Sequence, residues 1–219
     1  MNYKNAIHMK NKVLILIFLL LSTGAYAQKF EEVLKEAYLK FEKTESPQDK
    51  LNVVNRLDMI AARYSDQWSA QYYAAYAKVV TSYLLEDEKQ RDGLIDQAEQ
   101  ALNKSKALTK TSEEILIMEA YIANARLAVK PMSRYKKYGE IFDAKLAEAS
   151  ALNAANPRIY FLKGQSTFHT PRAFGGGCKN ALPFFEKAIP LFAKESKDDL
   201  SKPFWGHDRN QYYINECNE

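Results

Sequence analysis

Residues 156–192 read NPRIYFLKGQSTFHTPRAFGGGCKNALPFFEKAIPLF, and their spacing decides the fold. Ala181, Phe185 and Ala188 stand at i, i+4 and i+7, so two small residues and one large ring share a helical stripe. A second helix can approach closely along such a stripe. Upstream, Pro157 suits the first position of a helix in which Tyr160 and Gly164 lie four apart and face the same way. The stretch is predicted to be a pair of helices.

This pair resembles a tetratricopeptide repeat, whose first helix carries an aromatic and a small residue four apart and whose second carries Ala, an aromatic and Ala at 0, +4 and +7. Lys163 and Thr167 depart from the family's apolar preference, and the 17-residue step from Gly164 to Ala181 is longer than the family's. The resemblance implies a right-handed solenoid of helical hairpins that binds a protein or peptide in a groove lined by the first helix of each hairpin.

The rest of the chain reads the same way. Phe30, Val33, Leu34, Ala37, Tyr38 and Phe41 repeat at helical spacing, and Ser46-Pro47-Gln48-Asp49 then supplies an N-cap, a proline and an early acid for a second helix through Val54, Leu57 and Ala61. Between Asp66 and Leu85 two stripes are apolar, one with Trp68, Tyr72, Tyr76, Val79 and Tyr83, the other with Tyr73, Ala77, Val80 and Leu84. A helix apolar on both sides is sandwiched between neighbours. Its partner, from Arg91 to Leu108, has Ala98, Leu102 and Ser105 as its small-large-small stripe. Thr111-Ser112-Glu113-Glu114 opens another two-sided helix, and a further one follows from Met132 to Ala155 with Ala144, Glu148 and Ala151 at 0, +4 and +7. Trp68, Ile115 and Tyr160 are 47 and 45 residues apart, longer than the usual repeat of about 34. No alternating strand pattern appears. The expected fold is all-α: about four hairpins, closed by a C-terminal capping helix from Phe204-Trp205-Gly206 through Cys217.

The N-terminus carries Lys4, Lys10 and Lys12, an apolar run from Val13 to Leu21, and Ala25-Tyr26-Ala27, the pattern of a secretory signal peptide cleaved after Ala27. Residues 28–219 are then a single helical-repeat domain in the periplasm or outside the cell. The apolar run is too short to span a bilayer and no lipid-accepting Cys follows, so stable membrane insertion after cleavage is not expected. Losing residues 1–27 removes three lysines and no acid, taking the formal charge from +4 to +1. A nearly neutral chain with interleaved charges lacks the clustered cations that nucleic acid requires. In an oxidising compartment Cys178 and Cys217 are a possible disulfide.

Candidate chemistry is sparse. The loop residues Arg172, Phe174, Gly175, Gly176, Gly177 and Lys179 offer amides and charge to an anion, but GK followed by Ser or Thr after a strand, the mark of a phosphate loop, is missing. In the bland alternative the loop folds over the hairpin with Phe174 packed down and the glycines serving the turn. His169, His207 and Asp208 have no i, i+4 pair that would pre-form a metal site, and Cys178 with His169 lacks a third group to orient the base. Paired acids such as Glu113-Glu114 and Glu31-Glu32 read as solvated helix starts or faces. Neither cofactor, metal nor catalytic residue is assigned, and the chain is read as no enzyme. Tyr72, Tyr76, Tyr121, Asn124 and Tyr160 are the partner-binding candidates, since they fall on the groove-lining helices and tyrosine gives area and a hydroxyl at low entropic cost. The main reading is an exported scaffold for a protein or peptide partner; the alternative is a carrier of a small apolar ligand serving an envelope transport system. Intact mass of the protein from its native host is expected to show an N-terminus at Gln28, and a full-length cytoplasmic product would remove the premise of export.

Overall fold

The computed structural model describes residues 29–219 apart from Thr111, Lys197, Asp198 and Ser201, so the proposed signal peptide lies outside the described residues. Nine α-helices are present among them and no strand. They are α1 (29–43), α2 (Pro47–Arg63), α3 (Trp68–Ser82), α4 (Glu88–Leu108), α5 (Glu113–Val129), α6 (Pro131–Leu152), α7 (Pro157–His169), α8 (Cys178–Phe192) and α9 (His207–Asn218). Local chemistry fixes several starts. The Ser46 hydroxyl accepts from the Asp49 amide, the Asp87 carboxylate from that of Gln90, and the Asn156 side chain from that of Arg158, with prolines at the openings of α2 and α7.

Consecutive helices pair as antiparallel hairpins, α1 with α2, α3 with α4, α5 with α6 and α7 with α8, which stack into a helical array. Both predicted sandwiched helices are so: every residue from Ser69 to Val79 on α3 is buried, as is nearly all of α5 from Glu114 to Arg126. The stripe Ala98, Leu102 and Ser105 is buried against α3, where the Ser105 hydroxyl donates to the Trp68 carbonyl at 2.9 Å.

On α6 the predicted stripe is displaced by two residues. Ala144, Glu148 and Ala151 face solvent, and the buried set is Phe142, Leu146 and Ala149, again at 0, +4 and +7. Burying a ring and a leucine outweighs fitting small residues around a glutamate. The stacking also weakens here: α6 meets α7 only slightly, far less than α2 meets α3 or α4 meets α5. A second correction concerns the cap. Phe204 and Trp205 are not part of the closing helix; they precede it and enter the core, both buried.

The hairpin that decided the fold packs through its smallest residue. Ala181, Phe185 and Ala188 are fully buried, and a Cβ on Gly164 would meet the Phe185 ring at 2.5 Å. Phe185 in turn stacks parallel to Tyr213 of α9 at 5.1 Å. Gly164→Ala is therefore expected to destabilise by about 1–3 kcal/mol through overpacking. Gly93→Ala, where nothing lies within 4 Å of the new methyl, should stabilise by up to about 1 kcal/mol through helix propensity. Equal urea midpoints for the two variants would mean that α7 and α8 do not meet at this contact.

Candidate functional site

The inner side of the array is formed by the first helix of each hairpin, and the groove expected there is filled by the chain's own Trp205. Its indole is 1 % exposed and stacks on Tyr121 at 5.4 Å with the planes 13° apart. Tyr76 lies 4.9 Å away on another side, and Phe161 meets it edge-on at 6.2 Å. Phe204 packs edge-on against Tyr38 at 5.2 Å. α1, α3, α5 and α7 all contribute a ring, so one connecting segment touches every hairpin.

A buried polar chain runs beneath these rings. Trp205 Nε1 donates to the Tyr72 hydroxyl at 2.8 Å, which donates to Glu114 Oε2 at 2.9 Å. Arg158 Nε donates to both Glu114 oxygens, and Asn156 Nδ2 to Oε1 at 2.5 Å. The far end of the guanidinium donates to Glu195 Oε1 at 2.7 Å and to the Pro203 carbonyl, and its Cζ sits 5.4 Å above the indole. Burial works against the Arg158 charge, but Glu114 and Glu195 more than offset it and hold the group cationic. Burial likewise pushes the Tyr72 hydroxyl well up, so it remains a neutral donor. For Glu195, burial raises the carboxyl to about 7 against the pull of Arg158, with the Glu114 charge adding to the rise. One guanidinium faces two carboxylates.

Tyr72, Tyr76 and Tyr121 are thus brought together, but buried around an internal occupant instead of lining an open trough. Asn124 is buried one turn beyond Tyr121 on α5. Tyr160 is not among these rings: its hydroxyl donates to the Ala154 carbonyl, and Lys187 lies over its face at 4.3 Å.

The glycine loop does not present the amides an anion would need. The N–H groups of Gly175, Gly176 and Gly177 donate to the carbonyls of Arg172, Pro171 and Thr167. Gly175 and Gly177 have φ of 84° and 88°, and a Cβ on Gly176 would fall on the Thr170 carbonyl, so the turn itself requires glycine. Phe174 is not folded down: it is 78 % exposed, beside exposed Arg172 and Lys179. Cys178 and Cys217 are joined, which ties the end of α9 to the start of α8. His169 pairs with the Tyr213 hydroxyl at 3.0 Å and His207 with Asp208 at 2.8 Å. Among the described residues no group of three or more His, Cys, Asp or Glu is placed to hold a metal ion.

An open concavity of about 550 Å³ lies on the outer side between α2 and α4, floored by Gln71 and Lys78 of α3. Lys78 is buried and ion-paired with Asp58. Alanines and Gln97, Gln100 and Lys104 make up much of the walls, with no aromatic residue among them.

Helical spacing does not mark Glu114, Arg158 or Trp205 as site residues. Glu114, expected to be a solvated helix start, is instead buried, whereas Glu31 and Glu32 are exposed. The one signal available was Trp205 itself, a large ring in a Pro-Phe-Trp-Gly run unsuited to a helix interior.

No protein-family model matches the chain, the tetratricopeptide repeat included, and no curated protein matches it. Among solved structures it is similar to the HusA haemophore from Porphyromonas gingivalis, with 32 % identity and a TM-score of 0.73. The likeness covers 86 % of this chain and 92 % of the haemophore.

The raised Glu195 carboxyl gives a signed expectation for pH. The folded protein keeps a proton that the unfolded chain gives up near its ordinary value of 4.5. Stability from this group is fully present below about pH 4.5 and lost as pH rises through about 7. The melting temperature of the wild type should therefore fall across that window relative to Glu195→Gln. Parallel profiles for the two would show that Glu195 does not titrate there.

Proposed function

The chain belongs to the family of the HusA haemophore, and from that premise we propose that it is an exported carrier of haem or a closely related tetrapyrrole. The observation that carries this reading is the likeness to the haemophore over nearly that protein's whole length. The physical character of the inner side agrees with it. Flat aromatic faces and a fixed guanidinium suit a flat, weakly polar molecule bearing carboxylates better than an extended peptide, which would need open backbone-binding edges. The scaffold role for a protein or peptide is the less supported reading, because the groove it relied on is filled by Phe204 and Trp205.

The carrier works outside the cytoplasm, delivered by the segment cleaved after Ala27, and residues 28–219 act as one unit. No helix among the described residues is long and apolar enough to cross a membrane. Binding and release are the whole of the activity, with no covalent chemistry on the cargo. Titrating residues 28–219 with haemin should give a shifted, saturable Soret band, and the pigment should co-elute with the protein on size exclusion. An unchanged spectrum with separate elution would overturn the reading.

A further inference from the structure

Resting on the carrier reading, we infer that the slot now filled by the Trp205 indole is the binding site of a flat, carboxylate-bearing aromatic ligand, the tetrapyrrole entering as the indole leaves. The slot already holds a flat ring. Tyr121 faces it in parallel, Tyr76 and Phe161 close its flanks, and Arg158 stands over it. Arg158 also donates to the Pro203 carbonyl, a bond that frees a donor for a ligand carboxylate once the segment withdraws. Tyr72 holds the indole N–H through one hydrogen bond.

The slot sits where the array is least engaged. α6 scarcely touches α7, and the third hairpin is tied to the last one by the bonds of Glu114 to Arg158 and Asn156 and by the indole, which meets Tyr121 on one side and Phe161 on the other. Beyond that junction α7, α8 and α9 are fastened to each other by the Cys178–Cys217 bond, the Phe185–Tyr213 stack and the pairing of Gln165 and His169 with Tyr213. A tetrapyrrole is wider than an indole, so its entry parts the last hairpin from the third while each side stays intact. The segment bends at Gly206, whose φ of 103° is open to glycine and strained for other residues. The outer concavity between α2 and α4 offers no aromatic face and is a poorer match to the same ligand.

An internal occupant lowers apparent affinity by the fraction of molecules in which the site is closed. Trp205→Ala is expected to bind haemin about tenfold more tightly than the wild type. Tyr72→Phe, which keeps the ring but removes the acceptor of the indole N–H and one of the donors to Glu114, should bind a few-fold more tightly. In stopped flow the wild type's observed rate should level off with rising haemin at the rate of indole departure, and Tyr72→Phe should raise that plateau. Trp68→Phe serves as the control with affinity unchanged. If Trp205→Ala does not fold, Tyr72→Phe decides alone. A wild type that binds haemin while the folded variants show neither tighter binding nor a raised plateau would place the site elsewhere and overturn the inference, leaving the carrier reading intact. Failure of every protein to bind haemin would overturn both.

Discussion

The structure depends on a charge placed where charge is expensive. Arg158 is among the largest fully buried side chains, and it is tolerable only because Glu114, Glu195 and the Pro203 carbonyl take its donors. Removing one member of such a set typically costs about 3–5 kcal/mol, because the others are left buried without a partner. The members come from α5, α7, the turn just after α8 and the segment before α9. The same set that neutralises the guanidinium therefore ties α5 to α7 where the backbones of α6 and α7 approach at few points.

Apolar contacts then complete what the charges position. Trp205 adds aromatic pairings beyond its simple burial, each worth about 0.5–1.5 kcal/mol in ordinary cases. Its reach to α3, α5 and α7, with Phe204 extending it to α1, makes a connecting segment the common element of the inner side. In an open solenoid the inner helices would keep their tyrosines for another molecule. Here Tyr76 and Tyr121 pack on Trp205 and Tyr72 accepts its N–H, so the inner side is occupied by the chain's own segment.

Much of the fold was legible because its causes are local. Ala98-Leu102-Ser105 and Ala181-Phe185-Ala188 mark faces that need only helical geometry to be recognised, and Ser46 is a cap by virtue of its immediate neighbours. The buried face of α6 is not legible in the sequence because small residues occur on two of its faces, and only the position of α5 selects Phe142 and Leu146 over Ala144. The site was less readable. Tyr72, Tyr76 and Tyr121 were found from their helices, yet whether such rings face a partner or a core is settled by a tryptophan 133 residues beyond Tyr72. Periodicity carries no information at that range, and Glu114 looks like any helix-opening acid until Arg158 arrives beside it.

That separation bears on the order in which the molecule can be completed. Hairpins are local and can form as soon as their own residues are available, whereas contacts of high sequence separation wait for the chain to be present. The indole that fills the inner side belongs to residue 205 of 219, so a chain emerging N-terminus first carries an unfilled aromatic seam almost to its end. The late tryptophan thus sets an order of assembly, in which the hairpins can form one by one and the inner side is completed only when residues 204 and 205 arrive.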